Sequence, residues 1–418
     1  MLFDVFHSLG TFSFEQSERQ TFQDFFAQVR LADALGFGTW WTAESHFSSE
    51  VQKRHKEPVV PHYVGEVGLN NDSPQLAHGV FECTRRIGFG TAIYNIVGGN
   101  GGPIAAADRI RSLVFLNSLR ETPRQLHIGV ASGRFPYINK PFGIVPRDRE
   151  EEVLWEHYKR FIFLEALEIF LRLSKGETLS SEDVTQRAFT RECFPSEAAW
   201  ARFLAEVKQL PPRAGASPER LPYQPRWVFE PLRLVPSLPD NASAFCRFVL
   251  GSTDPLAREL GLRHVDLDLF SLSVTPPPAL EALHAEMYER SLASGRLWHR
   301  GRMPRTSLIF IDKDRKRAED MASRGLDVYL EGMRGTVNVP RKEELLSRVL
   351  VGDAAMVREQ LSPGNPRGFH PEDCLMLWFE FARDHADVVS QMRYFAEAVM
   401  PHLASPLAAP GAGVDSPS

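Results

Sequence analysis

The chain has 418 residues, 43% of them hydrophobic and 24% charged, with a formal net charge of -5. Apolar content near the globular average is enough for a large core and excludes wholesale disorder, and the acidic balance argues against a nucleic-acid partner, whose phosphates need a basic surface. The opening Met1 to Phe6 lacks a basic region and soon meets Glu15, Glu18 and Arg19, so neither a signal peptide nor a membrane span is expected, and the cytoplasm is the expected compartment.

Strand-like and helical patterns alternate from the first residues onward. Leu2 to His7 reads as a strand; Phe22, Phe25, Phe26, Val29 and Ala32 recur at helical spacing and stop at Gly36. Further strands are expected at Phe37 to Ala43, Ile87 to Ile93, Leu126 to Val130, Phe245 to Leu250, Val265 to Phe270, Ser307 to Ile311 and Cys374 to Phe379. Helical patterns lie near Pro103 to Leu119, Val153 to Leu173, Pro255 to Leu260, Pro277 to Ala293, Arg315 to Gly332 and Ala386 to Met400. Eight strands alternating with helices predict an α/β fold, a (β/α)8 TIM barrel of parallel strands with its chemistry at the strand ends.

Two stretches interrupt the alternation and read as insertions into one domain spanning 1–403. The first, about 51–73, is rich in His, Pro and Gly and is expected to wall or cover the active face; the second, about 180–241, carries proline clusters. The tail 404–418 is Ala/Pro/Gly/Ser-rich, and disorder is expected there. Cys83, Cys193, Cys246 and Cys374 are far apart, no HExxH occurs, and His55, His62 and His78 lack ligand spacing, so no metal site is expected.

Trp40 to Phe47 ends a strand and at once presents Glu44, Ser45 and His46. An imidazole beside a carboxylate at a strand mouth can act as a base near neutral pH or hold a polar cofactor edge; a plain hydrogen-bonded turn uses the same residues. Trp40 and Trp41 must point to opposite faces, one into the core and one toward the helices. Next, His127 to Ala131 runs into Ser132, Gly133 and Arg134, where backbone N–H groups and an arginine suit an anion, or where the arginine is structural. Gly251, Ser252 and Thr253 precede Asp254-Pro255, either an anion-binding helix start or ordinary capping by Thr253 or Asp254. Gly98 to Pro103 lacks the Lys-Ser/Thr ending of a phosphate loop and reads as a flexible rim.

Together these pieces resemble the luciferase-like monooxygenase family over nearly the whole chain. The resemblance rests on Ala43-Glu44-Ser45-His46-Phe47, Gly90-Thr91-Ala92-Ile93, Ser132-Gly133-Arg134 with Phe142-Gly143, Glu165-Ala166-Leu167-Glu168-Ile169, Phe379-Glu380-Phe381 and Phe395 to Pro401. It implies an enzyme that takes reduced FMN from a separate flavin reductase and uses O2 to oxygenate an organic substrate, with a bulky or carrier-bound one admitted by the large insertions, by hydroxylation or Baeyer-Villiger chemistry. Relatives that use a deazaflavin make a deazaflavin-dependent oxidoreductase the alternative, and a non-catalytic flavin-binding barrel is a third. By the same resemblance Phe6, Ala92, Ile93 and Ala131 surround the ring, with Ala92-Ile93 at a position that can be a cis peptide. Ser132, Arg134, Gly251, Ser252 and Thr253 serve the phosphate side, and Glu44, Ser45 and His46 are the catalytic candidates. Ser45 stands where the family has the first histidine of Glu-His-His. A homo-oligomer, a dimer by family habit, is expected.

Overall fold

A computed structural model describes residues 1–11, 16–47, 66, 68–133, 136–211, 217, 219–272, 275–332, 341–382 and 384–403. Eight strands line up as expected: β1 (Leu2–His7), β2 (Thr39–Thr42), β3 (Gly88–Asn95), β4 (Leu126–Ala131), β5 (Cys246–Leu250), β6 (Leu267–Leu269), β7 (Arg305–Ile311) and β8 (Cys374–Trp378). Every neighbouring pair is parallel, and the hydrogen-bonded order runs β7, β8, β1, β2, β3, β4, β5, β6. A parallel bridge from Ser271, just past β6, to Arg305 at the start of β7 joins the two ends into a barrel.

Beyond that bridge the upper half of β7 pairs with a further strand, Leu350–Gly352, through Ile309 to Ile311. Only three residues long, it escapes a reading based on apolar runs. The connecting helices are α1 (Glu18–Leu35), α2 (Ser73–Cys83), α3 (Gly102–Ser118), α4 (Trp155–Ser174), α5 (Pro255–His264), α6 (Pro277–Ala293), α7 (Arg315–Gly332) and α8 (His385–Ala398). No described helix is long and apolar enough to cross a membrane.

Helix α1 begins on the Ser17 hydroxyl, which accepts from the Gln20 amide, and stops at Gly36, whose φ of 87° lets its N–H reach the last carbonyls. Helix α2 was absent from the pattern reading, although Asp72 caps it and Pro74 opens its first turn. Its internal Gly79 and the neighbouring polar stretch mask an apolar face of Leu76, Ala77, Val80 and Phe81.

Alternation along the strands separates two cores. Phe3, Val5, Trp40, Phe89, Ile128 and Val130 pack in a core with the helices, whereas Phe6, Trp41, Val249, Met376 and Trp378 belong to a second cluster. Trp40 therefore meets His7 and Phe25 of α1, while Trp41 lies beside Phe270 and His127.

The second insertion is built onto α4. Two buried carboxylates of that helix hold it: Glu165 accepts from the Tyr223 hydroxyl at 2.7 Å and from the amides of Arg226 and Trp227, and Glu168 accepts from Arg187 at 2.5 Å and from the Thr185 amide. Desolvation outweighs these donors and raises the Glu165 pKa. Between its ends the insertion forms an antiparallel pair, Ala188–Phe189 with Leu221–Pro222, and the helix Glu197–Val207. Phe161 stacks on Phe189 at 4.3 Å.

Candidate active site at the carboxyl ends of the strands

The floor of the mouth is aromatic. Phe6 meets Trp378 edge-on at 4.5 Å and Phe270 at 6.5 Å, and Trp41 lies 6.3 Å from Phe270. Above it, three adjacent strand ends carry mostly small residues, Ala92 on β3, Ala131, Ser132 and Gly133 at the end of β4, and Gly251 and Ser252 after β5, with Ile93 the one larger side chain among them, all half-buried. Glycine is needed here on steric grounds. A Cβ on Gly251 would lie 2.0 Å from Ile93 Cδ1, and one on Gly133 would lie 2.3 Å from the Asn95 amide nitrogen. The Ala92-Ile93 peptide is cis, and pairing between β3 and β4 shifts register between Thr91 and Tyr94, the interval that holds it.

Beside this ledge stands Glu44, its side chain 1% exposed. Its Oε1 accepts from Asn100 at 2.6 Å and lies 3.3 Å from His46 Nε2, and its Oε2 accepts from the Ser73 amide at the start of α2. Asn100 is locked from behind, because Arg109, which can only donate, bonds its Oδ1 at 3.0 Å and itself pairs with Asp72. The amide nitrogen must then face Glu44 Oε1 and the Asn95 carbonyl. A second amide relay continues around the rim: Asn95 donates to Asn139 at 2.9 Å, and Asn139 donates to the Ser132 carbonyl.

Residues 98–102 are therefore a packed turn rather than a flexible rim. Gly98 and Gly99 are buried, and a Cβ on Gly99 would lie 2.7 Å from the His46 ring. Ser45 is 6% exposed, its amide donates to the Asn70 carbonyl, and Gly68 lies close enough that a Cβ there would sit 2.4 Å from Ser45 Cβ. The return limb of the first insertion thus crosses the β1 and β2 ends: Leu69 bonds Leu9, Glu66 bonds Thr11, and Asn70 donates to the Ala43 carbonyl. The rest of that insertion, 51–65 and 67, lies outside the described residues, as do Arg134 and the tail 404–418.

After β5, Gly251 spends its N–H on the Val130 carbonyl, and Asp254 caps α5 through the Leu256 amide. A bidentate pair with Arg160, at 2.6 Å to each oxygen, neutralises Asp254. The capping alternative is thus realised by Asp254, and Ser252 and Thr253 lie immediately before a charge-balanced cap. Across the mouth, buried Glu380 accepts from the Ser8 amide at 2.5 Å and from Trp378 Nε1 at 2.6 Å, with His7 Nδ1 3.0 Å away. Burial, only partly opposed by Glu380, lowers the His7 pKa.

Sequence reading brought Glu44, Ser45, His46, Phe6, Ala92, Ile93 and Ala131 to one mouth but missed Asn95, Asn100, Asn139, Arg109 and the His7/Glu380 pair. One local signal existed: Asn100, flanked by glycines five residues after the end of β3, where the backbone must approach other loops closely.

The profile of the luciferase-like monooxygenase family matches residues 1–370. The chain belongs to that family. No curated protein sequence matches it. Among solved structures it is similar to the monooxygenase RslO1 from Streptomyces bottropensis, with 18% identity, a TM-score of 0.67, and 96% of this chain and 99% of that one covered. It is also similar to the oxygenating constituent of 3,6-diketocamphane monooxygenase from Pseudomonas putida in complex with FMN, with 14% identity, a TM-score of 0.59, and 97% and 99% covered. A third likeness is to an F420-dependent secondary alcohol dehydrogenase in complex with an F420-acetone adduct, with 11% identity, a TM-score of 0.54, and 95% and 98% covered. At these identities the likeness concerns the fold, and the family's eight-stranded barrel is the fold found here.

Proposed function

We propose that this protein is an FMN-dependent monooxygenase that receives reduced FMN from a separate reductase and transfers one oxygen atom of O2 to an organic substrate. The observation that carries the reading is the low ledge of small residues on three neighbouring strand ends over an aromatic floor. A planar ring system can lie on Ala92 and Ala131 beside the Ile93 side chain, which reaches over Gly251, and the fixed amides and carboxylate next to it offer partners for a polar edge. Those residues fit a flavin. When bound, reduced flavin supplies the electrons that activate oxygen.

The chain's own residues then bind, orient and move protons. Glu44, oriented by Asn100 and Ser73, holds the His46 ring through Nε2, so a proton at that nitrogen has a defined acceptor. Ser45, packed under Gly68, keeps the backbone of this turn in place. Ser252 and Thr253, with Arg134, are assigned to the phosphate; Arg160 removes the repulsion that Asp254 would otherwise exert there. The second insertion walls the substrate side: Arg147 bonds the carbonyls of Gln224 and Pro225, and Trp227 packs over Gly102. Dimerisation belongs to the same proposal.

The test is anaerobic loading with reduced FMN or reduced deazaflavin, then oxygen uptake with NADH and a flavin reductase across a panel of ketones and aromatics. Substrate-dependent oxygen uptake with FMN alone is expected. Turnover only with the deazaflavin, without oxygen uptake, would transfer the protein to the dehydrogenase reading, and flavin binding without turnover would leave a binding barrel.

A further inference from the structure

A cavity of about 580 Å³ lies far from the mouth, beside the start of β5, between the ends of α4 and α5 and the side of α3. Its walls are apolar where α3 and β5 face it, with Ile110, Val114, Phe248 and Val265, and Leu238 closes one side. Its charged lining is unbalanced: Arg111, Lys175, Arg247 and Arg296 against Asp240 and Asp266. Arg247 and Asp266 are already committed, since Arg247 pairs with Asp268 and Asp266, and Arg302 also holds Asp266. Arg296 donates to the Leu262 carbonyl, and Lys175 stands 3.8 Å from Glu177.

Arg111 is the unusual member. It is 2% exposed, and among the described residues it bonds only carbonyls, those of Leu173, Ser174 and Pro236, with no carboxylate partner. Its Nε and the Oγ of Ser174, another buried lining residue, have no hydrogen-bond partner among the described residues. The Arg111 charge is offset among the described residues only by those carbonyls and, without a hydrogen bond, by Asp108, and a buried guanidinium with an unused donor is stabilised further when an anion completes it. Apolar walls and a volume in the range of small-molecule sites ask for a hydrocarbon body on that anion.

We propose that this cavity is a second binding site for an amphipathic carboxylate, whose head faces Arg111, Ser174 and Lys175 and whose tail lies along Ile110, Val114 and Phe248. The site is independent of the flavin ledge, which occupies the other end of the strands. It gives the protein a place to bind an acid, separate from the place where oxygen is transferred.

Isothermal titration of the full chain with dodecanoate, below its micellar range, tests this. One saturable site is expected, unchanged by saturating reduced FMN and at least tenfold weaker for dodecanol. Lys175→Glu, an exposed charge reversal, and Ala242→Trp, which fills part of the cavity from its wall, should each weaken dodecanoate at least tenfold while circular dichroism stays that of the wild type. Absence of saturable binding, equal affinity for dodecanol, displacement by FMN, or unchanged affinity in both variants would each overturn the proposal.

Discussion

Asp268 at one end of the barrel and Glu44 and Glu380 at the other are held in opposite ways. At the amino-terminal end Asp268 is sealed by two cations, accepting from Arg302 at 2.7 Å and from Arg247 at 2.7 Å. At the carboxyl-terminal end Glu44 and Glu380 are held by neutral donors on loops, amides and an indole, with a histidine beside each. Ion pairs fix a fold, whereas neutral donors orient a carboxylate without placing a neutralising cation beside it. On the proposed function, the base holds the shape and the mouth carries the chemistry.

Substitutions at the two ends should therefore separate stability from activity. The largest effect is expected at the base: Arg302→Met leaves buried Asp268 and exposed Asp266 sharing Arg247 alone and should cost about 4 kcal/mol in urea unfolding, chiefly through Asp268. Reduced-flavin affinity of the remaining folded protein should be that of the wild type. A loss confined to flavin binding would erase the distinction between the ends.

The next effect is a pH dependence, also at the base. Burial lowers the His127 pKa to about 4 and raises that of Asp4 to about 6. As pH falls from 6.5 toward 4 the unfolded His127 gains a proton that the folded one refuses, so stability is lost; over pH 6 to 4 folded Asp4 takes up a proton before the unfolded chain does, so stability is gained. The two offset each other in the native protein. His127→Phe removes the loss, so its stability relative to wild type should rise on acidification across that window by up to about 3 kcal/mol, read from urea midpoints at each pH. A pH-independent difference would contradict the assignment.

A smaller free energy but a sharper functional readout is expected at the mouth. Glu44→Gln keeps the shape but turns one acceptor into a donor facing Asn100 or Ser73, and turnover should fall roughly 100-fold with a melting temperature close to wild type. A stability loss as large as that of Arg302→Met would show that the mouth is structural as well.

The barrel was legible because its buried parallel strands are short apolar runs such as Leu126 to Val130, and because Gly36 and Asp254-Pro255 mark helix ends by local chemistry. Leu350–Gly352 was not, since three residues carry no period, and α2 hid behind a polar stretch. Glu44 was legible as a residue but not as a network. Its partners Asn100, Arg109 and Asp72 come from other loops and helices, and only the closure of the barrel brings them together. The same holds for Glu380, whose donor Ser8 stands 372 positions away and is brought to it by the pairing of β1 with β8.

The central claim is that reduced FMN lies on the ledge formed by Ala92, Ile93 and Ala131. Anaerobic equilibrium binding of reduced FMN to the wild type and to Ala131→Trp tests it most directly. One site per chain is expected in the wild type, with affinity at least tenfold lower in a variant that retains the wild-type melting temperature. Equal affinity in the two proteins, or no binding by the wild type, would contradict the account.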